Sequence, residues 1–280
     1  MNKTLAIFEL MRLDKPIGIY LLLWPALLAL VISSNGNFEY VDLIIVIIGS
    51  ILVRSAGCVI NDIWDKDLDG GVERTKTRPI PSKKLSISES WVVFAVLGIL
   101  SLMLLSSTNA NTILISICFG LMIVVYPLTK RFFIGPQIFL GLTFNPTIIV
   151  YAMTNELNNP TMIFLYLAIA AKTIAFDSFY GLCDMEDDKK LGINSTPLWW
   201  GSKTLLIIAI LQFAVISFLL IVGLKAELSS AWYIGIILLS GFYFYQNRLA
   251  SQKNFLLAFK NNHWASLYLL ALSVFCFLII

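Results

Sequence analysis

The chain is written as long apolar runs parted by short polar segments. Apolar stretches cluster near residues 17–33, 41–60, 91–106, 111–128, 135–154, 160–180, 204–223, 231–246 and 264–280. Several are shorter than the roughly 20 residues a perpendicular membrane helix needs, so the count of nine spans is firmer than their ends. The runs are continuously apolar, whereas the strands of a membrane barrel alternate at period two, so the pattern predicts helices. Hydrophobic residues make up 58% of the 280 positions and charged residues 13%, beyond what a soluble domain of this size needs. The expected fold class is therefore all-α: a polytopic membrane bundle of about nine transmembrane helices, in one domain over residues 1–280. The first span follows Asp14, Lys15 and Pro16 with no small-residue cleavage site behind a short apolar core, and it is expected to be retained.

Basic residues give these spans a direction. The amino-terminal tail and the segments after spans two, four, six and eight carry seventeen of the twenty Lys and Arg residues. The segments after the odd spans carry only Lys225, and Arg54 and Lys172 lie inside spans. The positive-inside rule then places the amino terminus in the cytoplasm. The net charge of +3 records this asymmetry and says nothing about nucleic acid.

Two acidic runs break the apolar pattern: NDIWDKDLD at 61–69, after span two, and DMEDD at 184–188, after span six. Four spans separate them, which predicts two pseudo-repeated four-helix units plus one helix and sets both runs on the same cytoplasmic face. If the helix of span two continues, Asn61, Asp65 and Asp69 share one face at i, i+4 and i+8. Asp184 and Asp188 repeat that spacing, with Tyr180 and Asp177 one and two turns earlier. Carboxylates about 6 Å apart repel by roughly 3 kcal/mol at an effective dielectric of 20 and by about 0.7 kcal/mol in water, so recessed stripes need cations. An isolated acidic pair is usually a solvated loop feature; two runs sharing spacing, sidedness and an apolar neighbour point to a bound cation. Asp62, Asp67, Glu186 and Asp187 fall off the best-aligned stripes, where solvent exposure or support of a neighbour is expected.

The ligand inventory narrows the cation. Cys58, Cys118, Cys183 and Cys276 form no CxxC pair and read as packing residues, and His263 is the only histidine, expected in the polar stretch before the last span. Histidine-based metal sites and a Ser/His triad are thereby excluded. Oxygen-only ligands favour Mg²⁺, which takes one or two carboxylates and completes its shell with water and substrate phosphate. Arg74, Lys76 and Arg78 follow the first run, Lys130 and Arg131 occupy the next cytosolic turn, and Lys189 and Lys190 follow the second run. Metal and basic residues together suit a diphosphate. No GxxxxGK[ST] loop is present, so a diphosphate leaving group fits better than a nucleoside triphosphate. If the carbon it leaves is allylic, the cation needs a dry pocket with aromatic faces, for which Trp24, Trp64, Tyr126 and Tyr180 are candidates.

RLDKPIGIYLLLWP at 12–25, NDxxDxxxD at 61–69, RTKTRPIPS at 74–82, YPLTKR at 126–131 and DSFYGLCDMEDDKKLGINST at 177–196 together resemble the UbiA superfamily of intramembrane aromatic prenyltransferases. The likeness covers nearly the whole chain, and its wording is nearest to the branch that acts on 4-hydroxybenzoate in ubiquinone biosynthesis. The resemblance implies a nine-helix bundle in which Mg²⁺ bridges a polyprenyl diphosphate to both motifs. Asn61, Asp65, Asp69, Asp184 and Asp188 take the metal and diphosphate roles, and Asp62 fills the first motif's second position. Arg74, Arg78, Lys130, Arg131 and Lys190 match positions used for phosphate or acceptor carboxylate, with Arg131 chosen for the acceptor. The chain departs from the family at Lys172, where a tryptophan is usual, and at Asn145 and Pro146, in place of glycine or tryptophan. A lysine there is expected to snorkel, pair with a carboxylate or line a wet cavity.

The implied partners are a polyprenyl diphosphate, 4-hydroxybenzoate and the bilayer of a bacterial inner membrane. The rivals are the same chemistry on a naphthoate, homogentisate or haem acceptor, a CDP-alcohol phosphotransferase, for which the DGxxAR start is missing, and a divalent cation transporter, whose sites would lie near the midplane. Asp65→Ala and Asp184→Ala are each expected to abolish prenyl transfer in Mg²⁺-supplied membranes while the protein stays inserted. Near-normal turnover in either variant rules the mechanism out.

Overall fold

The computed structural model describes residues 3–70 and 75–278. Its elements are helices: α1 (Lys3–Leu10), α2 (Ile17–Ser33), α3 (Tyr40–Trp64), α4 (Lys66–Asp69), α5 (Ile87–Leu105), α6 (Ala110–Thr129), α7 (Pro136–Thr143), α8 (Thr147–Met153), α9 (Thr161–Leu191), α10 (Thr196–Trp200), α11 (Thr204–Lys225), α12 (Ser230–Ser251) and α13 (Phe255–Leu278), with a 3₁₀ turn at Gly201–Lys203. Within the described residues each of the nine apolar stretches falls mainly on helix. The helices α3, α5, α6 and α9 and the run Thr196–Lys225 are long and apolar enough to cross a membrane, and α2 is apolar but shorter. The chain is a multi-pass membrane protein.

Three boundaries differ from the sequence pattern. The fifth stretch is two short helices, α7 and α8, parted at Phe144–Pro146. Pro146 lacks an N–H and pushes Asn145 out of helical geometry. Asn145, 1% exposed, repairs the break: its Nδ2 donates to the Tyr166 carbonyl at 2.8 Å and its Oδ1 accepts the Thr147 N–H at 3.3 Å. Irregular backbone at membrane depth is tolerated where it lines a cavity, and this break does. The sixth stretch continues without interruption to Leu191, because the polar residues beyond Tyr180 keep the helical hydrogen bonds. His263 lies inside α13, not in a polar stretch ahead of it.

The helices close into a ring in which α2 packs on α3, α3 on α6, α6 on α7 and α8, α7 on α9, α9 on α11, and α13 returns to α2 and α9 through α12. The largest apolar core lies between α2, α8, α9, α11, α12 and α13, around Leu30, Tyr151, Leu165, Leu219, Trp232 and Leu239. A chain of amides fixes the last three helices: Gln212 donates to Gln246 and Gln246 to Asn261, each at 3.0 Å. Lys172, 4% exposed, neither snorkels nor pairs with a carboxylate among the described residues, and it lines a small cavity between α2, α9, α11 and α13. Its ammonium donates to the Ser266 hydroxyl and stands 5.5 Å from the Phe176 ring centre, tying α9 to α13. On the other side of the ring, α5 and α6 pack on α3 and leave apolar side chains such as Val92, Met103 and Leu114 exposed.

Trp232 on α12 is fully buried, and its indole N–H donates to the Leu219 carbonyl at 2.9 Å. Trp232→Ala is expected to destabilise the protein by about 3–5 kcal/mol, with Trp232→Phe milder, as read by thermal unfolding in detergent. Equal unfolding midpoints for Trp232→Ala and the wild type would show that this core does not hold the bundle.

Candidate active site

The up-and-down course of the chain brings the carboxyl ends of α3, α6 and α9 to one end of the bundle. Helix carboxyl ends carry partial negative charge and favour cations, so this end suits a cation site before any side chain is counted. At the end of α3 the helical hydrogen bonds carry on through a kink: the Asp65 N–H bonds to the Asn61 carbonyl at 2.9 Å and the Asp69 N–H to that of Asp65 at 2.8 Å. Asn61, Asp65 and Asp69 therefore keep to one side although α3 stops at Trp64 and α4 begins at Lys66. Helix α9 runs through Asp177, Tyr180, Asp184 and Asp188 and stops at Gly192, whose φ of 66° is the left-handed conformation glycine adopts without strain. The Ile193 N–H reaches back to the Asp188 carbonyl and that of Gly192 to Lys189, satisfying the last turn.

A cavity of about 1530 Å³ lies between these helix ends, larger than the roughly 300–1000 Å³ of a typical small-molecule pocket. Asn61, Asp62, Asp65 and Asp69 line it from the first motif, and Asp177, Tyr180, Asp184 and Asp188 from the second. It then runs down between α3, α5, α6 and α8 past Ser50, Gly98, Ser116, Gly120 and Met153.

Buried carboxylates of the first motif are matched with cations. Asp62, 1% exposed, receives the Arg12 guanidinium on both oxygens at 2.8 Å and Arg78 at 3.1 Å. Arg78 also donates to Asp69 at 2.7 Å. Burial works against the Arg78 cation, but the Asp62 and Asp69 carboxylates more than offset it and hold its pKa above the usual guanidinium value. Lys130, from the turn after α6, pairs through one oxygen with Asp65, whose other oxygen is buried without a hydrogen-bond partner. Burial pushes the Asp65 carboxyl above the usual range, with the Lys130 ammonium pulling the other way. The Lys130 carbonyl accepts the Asn194 N–H at 2.8 Å, joining this turn to the segment after the second motif.

Several expectations meet a different placement. Asp62 is neither off the site nor solvated: it is the most deeply held carboxylate, and Arg12, in the left-handed region at φ 58°, is aimed at it. Asp67 and Glu186 are exposed, whereas Asp187 lines the cavity. Lys190 reaches Asp187 at 3.4 Å with its side chain 73% exposed, and Arg131 turns out to bond the Trp64 carbonyl at 2.6 Å; neither lines the cavity. Arg74 lies outside the described residues. Of the aromatic candidates, Tyr126 and Tyr180 line the cavity. Trp64 stacks edge-on with Trp91, and Trp24 donates to His263 at 2.9 Å. Cys118 is exposed where packing is expected, and Cys58 is buried.

Arg54, like Arg12, lines the cavity without a role in the sequence reading. Arg54 sits two turns before Asn61 on α3 with its guanidinium 5.5 Å from the Phe144 ring centre, and its Nε–H is buried without a hydrogen-bond partner. An ionisable residue inside an apolar span was the available signal.

The sequence profile of the UbiA prenyltransferase family matches residues 22–270. A protein named 4-hydroxybenzoate octaprenyltransferase from Pseudomonas aeruginosa (strain LESB58) is 40% identical over 265 residues, covering 92% of this chain and 89% of that one. Two solved structures share the fold. The apo structure of a UbiA homologue from Aeropyrum pernix K1 superposes with a TM-score of 0.81 at 20% identity, over 91% of this chain and 96% of its own. A UbiA homologue from Archaeoglobus fulgidus bound to GPP and Mg²⁺ gives 0.73 at 18% identity, over 98% and 100%. The paired aspartate helices and the cavity between them thus sit on a fold and a sequence pattern shared along nearly the whole length, and the chain belongs to the UbiA prenyltransferase family.

Proposed function

We propose that the chain transfers a polyprenyl group from a polyprenyl diphosphate to the carbon ortho to the hydroxyl of 4-hydroxybenzoate, a step of ubiquinone biosynthesis. One observation carries the reading: a single cavity joins two carboxylate-bearing helix ends to an apolar lobe, and the buried Nε–H of Arg54 in its wall has no hydrogen-bond partner. The curated relative's name supports the acceptor and the donor class.

The residues present fit Mg²⁺. The donor set is all oxygen, and the free Asp65 oxygen is a buried acceptor in want of a cation. Such an ion takes one or two carboxylates and fills its shell with water and phosphate. Asn61, Asp65 and Asp69 would hold it on one side and Asp184 and Asp188 on the other. When bound it neutralises the diphosphate as the carbon–oxygen bond breaks. Lys130 and Arg78, with Arg74 nearby in sequence, supply positive charge toward the phosphate oxygens. The tail runs into the lobe between α3, α5 and α6, which keeps water from the allylic cation, and Tyr126 and Tyr180 offer it aromatic faces. Arg54 replaces Arg131 as the partner of the acceptor carboxylate, because Arg54 faces the cavity. Asp177, a cavity-lining carboxyl within electrostatic reach of Arg54, borders that subsite. The phenol activates its ortho carbon, which bonds the allylic carbon as diphosphate departs with the electron pair, and loss of the ring proton restores aromaticity. The bacterial source of the curated relative supports a bacterial inner membrane, and the distribution of basic residues supports an amino terminus and both motifs in the cytoplasm.

Purified membranes given one polyprenyl diphosphate and a mixture of aromatic acceptors should yield prenylated 4-hydroxybenzoate by mass spectrometry, and chelating divalent ions should stop it. A product built only on another acceptor refutes the assignment. Arg54→Leu should raise the KM for 4-hydroxybenzoate by roughly 10- to 100-fold, the value of a charged hydrogen bond, while donor KM changes little. An unchanged acceptor KM removes Arg54 from the site.

A further inference from the structure

A glycine on α2 sets where that arginine can be. A Cβ built on Gly18 would stand 2.5 Å from Arg54 Nε, 2.6 Å from Nη2 and 2.9 Å from Cζ. The planar guanidinium therefore lies directly against the α2 backbone, in a place that any other residue at 18 would fill. Phe144, at the break between α7 and α8, supplies the second surface it touches, and Gly18, Arg54 and Phe144 all line the cavity. Three elements distant in sequence thus meet on one side chain. The conflicting atoms are the far end of a flexible side chain and not backbone, so a methyl at 18 displaces the guanidinium and leaves the helices in register.

We propose that Gly18 is a specificity-determining residue: by leaving a slot against α2 it seats the Arg54 guanidinium at the depth at which a carboxylated acceptor is held. This rests on Arg54 being the acceptor's partner. It gives a physical reason for the glycine of the RLDKPIG segment, whose backbone at 18 is ordinary helix and does not itself call for glycine. The slot admits a flat guanidinium, so an ammonium at the same position retains charge without the shape.

The test uses the full-length protein in nanodiscs, with 4-hydroxybenzoate and its methyl ester as acceptors and one polyprenyl diphosphate as donor. Gly18→Ala should raise the KM for the acid about tenfold while the KM for the ester and for the donor each move by less than about twofold, so preference for the acid falls about tenfold. Gly18→Val should lower it further. Arg54→Lys, with Gly18 intact, should also lose acid preference, and it decides the question if Gly18 variants fail to insert. Retained preference in Gly18→Ala or in Arg54→Lys overturns the slot, as does a fall in kcat shared equally by acid and ester. Arg54→Leu separates the two readings. If it loses acid preference while Gly18→Ala keeps it, only the slot fails; if it keeps acid preference, the acceptor assignment fails and the slot with it.

Discussion

The structure turns on the difficulty of holding carboxylates at the end of an apolar helix bundle. A buried carboxylate without a partner costs several kcal/mol, and breaking a buried pair costs about 3–5 kcal/mol. The chain answers for the first motif by drawing cations from three separate places: Arg12 from the turn after α1, Arg78 from the segment before α5, and Lys130 from the turn after α6. Each of these segments is thereby fixed over the cavity by the charge it neutralises. The ion pairs hold the polar end together as much as they prepare it for an anionic substrate.

The bundle around this end is packed unequally. Helix α9 is the most buried of the candidate spans, while α5 and α6 are the least buried. In a bilayer, apolar contact between helices has little hydrophobic drive, and close fit and interhelical polar contacts do the work. The amide chain through Gln212, Gln246 and Asn261 and the Lys172–Ser266 bond lie on the well-packed side. The cavity lies on the other, where α3 presents Ser50 and Gly57 and α6 presents Ser116 and Gly120 to the open space. Stability and room for a long apolar substrate are divided between two sides of one ring.

What could be read from sequence is what is local. Continuous apolar runs give the helices, and four-residue spacing gives the stripes Asn61–Asp65–Asp69 and Asp184–Asp188, because both follow from helix periodicity alone. The break at Asn145 and Pro146 is visible as an irregularity, but its repair through the Tyr166 carbonyl is a contact between helices. The choice between Arg54 and Arg131 depends on which way a side chain faces after the bundle closes. Arg131 has the more polar neighbours, yet it bonds a backbone carbonyl outside the cavity, while Arg54 lies in an apolar span and faces in. Gly18 and Arg54 are 36 positions apart, and no periodicity links them. Lys172 likewise finds its partner on the last helix.

The bond from the Asn194 N–H to the Lys130 carbonyl joins the turn that serves the first motif to the segment that closes the second. It is made by main chain on both sides, so it is indifferent to which side chains stand at 130 and 194, proline at 194 excepted. The gauge between the two halves of the site is thus held in backbone while the chemistry across it is held in side chains. A change of side chain at 130 or 194 alters the charge at the site and leaves this link between its two halves in place.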